Sequence, residues 1–137
     1  MALCLIEEAR RTMQQKRILI VDDDRDLRRM FRTALTMAGY TVEEAGDGVE
    51  ALQLVENRLP DLIVLDLVLR ALDGLSVQQE LASRAITRQI PVVIVTGSTI
   101  DTASLDVACV LRKPVQPDDL VNTVRQCLAS GAAGSGV

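Results

Sequence analysis

Between Lys16 and Ser130, short apolar runs alternate with longer stretches in which apolar positions recur every three or four residues. The runs Arg17–Val21 (RILIV), Thr41–Ala45, Leu62–Leu65 (LIVL), Pro91–Val95 (PVVIV) and Cys109–Arg112 predict five strands. Three of them are almost wholly apolar, as expected where both faces of a sheet are covered. The clearest helix carries Leu27, Met30, Phe31, Ala34, Leu35 and Ala38 on one stripe and meets a stop at Gly39. Gly48–Asn57 repeats the pattern with Val49, Leu52 and either Leu54 or Val55, and Gly74–Arg84 does so with Leu75, Val77 and Leu81. The last helix opens on Pro117, Asp118 and Asp119, where proline's missing N–H costs nothing and the acids meet the positive end of the helix dipole. Its core face is Leu120, Val124, Cys127 and Leu128. Five βα units around a parallel sheet follow from this alternation, an α/β class.

The ends differ from the middle. Residues 1–15 form an N-terminal extension in which Leu5, Ala9 and Met13 have the spacing of a short amphipathic helix, a frayed lead-in being the alternative. Residues 16–130 hold the one domain that a 137-residue chain accommodates, and Gly131–Val137, built of Gly, Ala, Ser and a final Val, reads as a flexible tail.

Composition narrows the chemistry. A net charge of −4 argues against binding nucleic acid through a general basic surface, because that mode works by neutralising phosphates. Cys4, Cys109 and Cys127 have no CxxC spacing, and the chain holds no histidine, which disfavours both a disulfide framework and a zinc site and points to a reducing cytoplasm. No apolar run approaches the ~18 residues of a membrane span, and the short run Ala2–Ile6 is followed by Glu7 and Glu8 rather than a cleavage site. With no histidine, no GxSxG and no GxxxxGK[ST], chemistry falls to carboxylates, hydroxyls, Lys16 and Lys113.

In an open parallel sheet functional groups collect at the carboxyl edge of the strands. Asp22 and Asp23 follow the first predicted strand, Asp66 the third, Thr96 the fourth, and Lys113 with Pro114 the fifth. With strand order 2-1-3-4-5 these side chains converge. Three carboxylates at one edge repel one another by up to ~4 kcal/mol per pair at 4 Å and an effective dielectric near 20, so the site needs cations. Lys113 supplies one. Oxygen-only ligation by Asp22, Asp23 and Asp66 suits Mg2+, or Mn2+, better than zinc. Such a site polarises a phosphoryl group, and Asp66, at the end of a buried strand, is the candidate nucleophile for an acyl phosphate. Thr96 would donate its hydroxyl, and Lys113 its ammonium, to phosphoryl oxygens, with Gly97 leaving room. Taken singly, each of these residues fits a turn, a cap or a strand end, as Asp24 does; their shared edge is what favours function.

The set I-V-D-D at Ile20–Asp23, L-D at Leu65–Asp66 with Asp73–Gly74 beyond it, V-T-G at Val95–Gly97 and K-P at Lys113–Pro114 resembles the receiver domain of bacterial two-component response regulators, over about Arg17 to Leu128. The resemblance implies a flavodoxin-like (βα)5 three-layer sandwich with sheet order 2-1-3-4-5. It implies Asp66 as phosphoacceptor, Asp22 and Asp23 as the acidic Mg2+ pair, the Val68 backbone carbonyl as a further metal ligand, and Thr96 and Lys113 as phosphate partners. It also implies a signalling switch that catalyses its own phosphorylation and hydrolysis, with a sensor histidine kinase or phosphotransfer protein as donor and a protein target downstream. Oligomeric state stays open, a homodimer included.

Two departures stand out. Val110 occupies the position where the family has its aromatic switch, and the interval from Thr96 to Lys113 is short by more than a helical turn, so the fourth helix is expected to be short or remodelled. These departures motivate a second reading, a phosphorylation-independent interaction module. A haloacid-dehalogenase-like phosphohydrolase fits poorly, because Val68 stands where that mechanism wants an acid. Arg25, Arg28, Arg29 and Arg32 lie on one face of the first helix and read as a solvated basic stripe, or as a docking strip for an acidic kinase surface.

Overall fold

The computed structural model describes residues 16–97, 99, 101–103 and 105–134, without the side chains of 131–134; the expected N-terminal extension and residues 135–137 lie outside the described residues. The strands are β1 (Arg17–Val21), β2 (Thr41–Ala45), β3 (Leu62–Leu65), β4 (Val92–Thr96) and β5 (Cys109–Arg112), and the helices are α1 (Arg25–Met37), α2 (Gly48–Asn57), α3 (Gly74–Ser83) and α4 (Pro117–Gly134). All strand pairings are parallel, in the order β2-β1-β3-β4-β5. This is the expected flavodoxin-like sandwich, with four helices rather than five among the described residues.

Each face of the sheet has its own core. Ile18, Ile20, Val64, Val93 and Val95 meet Phe31 and Leu35 of α1 and Leu120 and Val124 of α4. Leu19, Val21, Ile63, Leu65 and Ile94 meet Ala51 and Val55 of α2 and Val77 and Leu81 of α3. This is the period-two alternation of strands sandwiched between helical layers, which is why β3 and β4 are buried at every position.

Several expectations shift. β4 runs from Val92 to Thr96, one residue later than predicted. Pro91 has no N–H to give and only accepts from Ile63, whereas the Thr96 carbonyl accepts the Lys113 N–H at 3.0 Å and so belongs to the ladder. Met30 and Val49, expected in the core, are exposed. For Val49 the cause is Gly48: a Cβ there would lie 2.0 Å from the Leu72 carbonyl oxygen, and this close approach turns α2 so that Ala51 and Val55 face inward. α4 continues to Gly134, into the segment read as a flexible tail, because Ala132 and Ala133 favour continued helix after Gly131.

The fourth crossover is remodelled. Among the described residues between β4 and β5 there is no helix, only a turn closed by Leu105 N–H on the Thr102 carbonyl at 3.1 Å. Leu105 and Val107 cover the sheet in the helix's place, and buried Gln78 of α3 donates its amide to the Asp106 carbonyl at 2.7 Å.

Candidate functional site: an acidic pocket bridged by a lysine

β1 and β3 are adjacent and in register, Val21 opposite Leu65, so the next residue on each, Asp22 and Asp66, emerges side by side at the carboxyl edge. Backbone bonds hold both: Asp66 N–H on Val21 O at 2.9 Å and Asp22 N–H on Ala45 O at 3.2 Å. One oxygen of each carboxylate is spent locally, Asp22 Oδ1 accepting from Asp24 N at 2.9 Å and Asp66 Oδ1 from Val68 N at 3.1 Å. The other oxygens face the pocket. Both acids are buried, at 2% and 5% exposure, whereas Asp23 is exposed on the turn.

Lys113 closes the arrangement. From the end of β5 its side chain crosses the tip of β4 and donates to Asp22 Oδ2 at 2.8 Å and to Asp66 Oδ2 at 2.9 Å. Strands lie ~4.8 Å apart, so a reach of two strands needs a long cation. Gly97 lies beneath the stem: a Cβ there would meet only the Lys113 Cβ, at 3.9 Å.

The electrostatics follow from this geometry. Burial pushes the Asp22 carboxyl above the usual range, and the nearby Asp66 adds to the rise, while bonds from Lys113 and the Asp24 N–H oppose it. Burial works against the Lys113 ammonium, but hydrogen bonds and charge from Asp22 and Asp66 outweigh it and hold the amine above its ordinary value. The lysine therefore stays charged. Three acids against one ammonium still leave the pocket negative.

A hard divalent cation fits that deficit. One oxygen from each of Asp22, Asp23 and Asp66 lies within 4.8 Å of the others, near the ~4 Å that separates opposite ligands around an ion bound at ~2.1 Å.

Thr96, the remaining expected contact, is fully buried at the end of β4 and touches the site through its carbonyl bond to Lys113 N–H. Val68 is 57% exposed on the loop after Asp66. Asp24 is the cap it was read as, accepting from Asp26 N and Leu27 N.

Two residues named in the sequence have roles that it did not reveal. Arg28, read as part of a solvated stripe, donates to the Asp22 carbonyl at 2.6 Å and to Glu44 at 3.2 Å, and Arg32 reaches the same Glu44 at 2.9 Å. Half the stripe thus braces β2 and the end of β1, through a pairing of distant residues that no local period reveals. Gly74 is the other: a Cβ there would lie 2.2 Å from Asp66 O and 2.4 Å from Leu67 Cα, so only glycine lets α3 start this close to the loop.

The family model for the response regulator receiver domain matches residues 18–125. Response regulator MprA from Mycobacterium sp. (strain KMS) is 40% identical over 117 residues, 82% of this chain and 50% of the relative. The chain spans about half the length of the curated relatives it matches. Among solved structures, a CheY-like response regulator receiver domain protein from Methanospirillum hungatei JF-1 aligns with a TM-score of 0.82 at 26% identity, covering 88% of this chain and 98% of that one. The chemotaxis response regulator CheY4 of Vibrio cholerae aligns at 0.76 and 26% identity, over 82% and 98%. With the strand order, the lysine-bridged acids and these likenesses in hand, the chain belongs to the response regulator receiver domain family.

Proposed function

We propose that this receiver domain is a phosphoacceptor switch that takes a phosphoryl group on Asp66 from a sensor histidine kinase or phosphotransfer protein. The observation that carries the reading is the Lys113 ammonium shared between Asp22 and Asp66, which places a fixed cation beside the nucleophile. In the reaction an Asp66 carboxylate oxygen attacks phosphorus, the donor's P–N bond breaks, and the leaving imidazole keeps the electron pair and takes a proton. Lys113 then follows the charge onto the phosphoryl oxygens, joined by the Thr96 hydroxyl. Asp22, Asp23, Asp66 and the Val68 carbonyl would hold Mg2+, which supplies charge neutralisation at the phosphoryl group. Hydrolysis of the acyl phosphate in the same pocket resets the switch.

Incubation with acetyl phosphate and Mg2+, read by intact mass, tests this. One phosphoryl adduct is expected, absent without the metal and absent in Asp66→Asn. The absence of an adduct on the wild-type chain with small-molecule and phosphohistidine donors alike would overturn it in favour of a phosphorylation-independent interaction module, the reading favoured by Val110 and by a fourth crossover without a helix among its described residues.

A further inference from the structure

Cys109 and Cys127, the free cysteines among the described residues, come from different layers of the fold and meet at one place. Side chains alternate along β5, so Cys109 and Leu111 turn toward the layer of α1 and α4 while Val110 turns toward the other. On α4, Cys127 follows Leu120 and Val124 at i+7 and i+3 and continues their stripe onto the same core. Only residues 113–116 join the two elements, so α4 runs back along β5. Cys127 lies ~15 Å along the helix from Pro117, and Cys109 lies ~13 Å before Lys113 on the strand, which sets the two at the same level.

Both cysteines line one open cavity of about 390 Å³, with Pro91 and Ala108 on the sheet side and Thr123 and Ser130 on the helix side. It lies at the opposite end of β5 from Lys113, away from the acidic pocket. We infer that the pair is an oxidation site, at which a peroxide entering the cavity converts the two thiols into one disulfide that fastens α4 to β5. Burial pushes the Cys127 thiol above its ordinary value and charge on Cys109 pushes it further, so Cys127 keeps its proton and Cys109 is the attacking thiolate. That thiolate attacks one peroxide oxygen, the O–O bond breaks, and the leaving oxygen takes up a proton to become water, with a sulfenic acid left on Cys109. The Cys127 sulfur then attacks the Cys109 sulfur, the S–O bond breaks, and a second water leaves with the Cys127 proton. Two thiols have lost two hydrogens, and hydrogen peroxide has been reduced to two waters. A small thiol reverses the bridge by exchange.

Treatment of the full 137-residue chain with hydrogen peroxide, then with a thiol alkylating reagent, read by intact mass and peptide mapping, tests the inference. A monomer short of two hydrogens is expected, with one Cys109–Cys127 crosslinked peptide that dithiothreitol releases. Cys109→Ser and Cys127→Ser should each abolish the bridge, and Cys4→Ser should leave its rate within about twofold of wild type. A disulfide tolerates Cα separations only up to ~6.8 Å, so a bridge that fits this fold should raise the urea midpoint of the oxidised chain. Both sulfurs alkylated after peroxide, separate sulfinic acids on the two, or a bridge to Cys4 or to a second chain would each overturn the inference. A lowered midpoint would do the same, since the thiols would then meet only when α4 leaves β5.

Discussion

The pocket at the tips of β1, β3 and β5 and the crossover between β4 and β5 are neighbours, yet they are specified in opposite ways. In the pocket Asp22, Asp66 and Lys113 are each placed by a strand end and by two side-chain bonds: Asp22 is held by Asp24 N, Lys113 and, through its carbonyl, Arg28. The crossover has no helix among its described residues and keeps its place through Leu105, Val107 and the Gln78 bond to Asp106. What the contrast teaches is that the sheet edge alone assembles the charged cluster. The layer beside it can be rebuilt without moving Lys113, because the lysine is placed by β5 and by the Thr96 carbonyl rather than by the crossover.

The sharpest way to break the comparison is to remove the bridge. Lys113→Ala should slow adduct formation from acetyl phosphate by about 10²–10³-fold, the usual loss when a fixed charge partner of a developing anion is removed. Its pH signature has a definite sign. The folded Asp22 carboxyl already titrates above its unfolded value, so the folded state holds that proton longer, and stability falls as pH rises from the ordinary aspartate range through the raised value. Without Lys113 that fall should steepen, measured by urea unfolding at stepped pH. An unchanged slope would mean that the ammonium does not compensate the buried acid.

A backbone test comes next. Gly74→Ala forces a Cβ into the Asp66 carbonyl, so α3 or the Asp66 loop must move, at a cost of about 3 kcal/mol and with slower phosphorylation. The crossover should respond differently. Gln78→Ala removes the amide that holds Asp106 and should cost about 1–2 kcal/mol, with faster amide exchange in residues 101–108 and an adduct rate within about twofold of wild type. If Gln78→Ala slowed phosphorylation as much as Gly74→Ala, the two regions would not be separable.

This division matches what could be read from the chain itself. Four of the five strands have the bounds read from the sequence, and the buried β1 and β3 announce themselves most plainly, by runs of Ile, Leu and Val. The acids and Lys113 were legible because parallel order alone sends the ends of β1, β3 and β5 to one edge. The shortened interval showed that the fourth crossover had changed, but not into what: Gln78 and Asp106 meet across 28 residues, and nothing local marks that contact. Helix rotation was hidden for the same reason. Met30 and Val49 satisfy the apolar period, and only the approach of Gly48 to Leu72 decides which side of α2 faces the sheet.

The smallest expected effect concerns the arginine stripe, where sequence and structure divide it differently. Arg28 and Arg32 are committed to Glu44, while Arg25 and Arg29 carry no such pairing among the hydrogen bonds described. Burial works to raise the Glu44 pKa, but hydrogen bonds from Arg32 and Arg28 outweigh it and hold the carboxyl below its usual range. A depressed value means that the stabilisation is complete above the ordinary glutamate range and is lost as pH falls through the folded value. Because Arg32 is more than half exposed, solvent screening limits the gain, and Glu44→Gln should cost less than about 1 kcal/mol at neutral pH and nothing in acid. Urea unfolding of the two chains at both pH values checks this. A cost that persists in acid would mean that Glu44 acts by packing rather than charge, and that the brace from α1 to the end of β1 rests on the Arg28 bond to the Asp22 carbonyl alone.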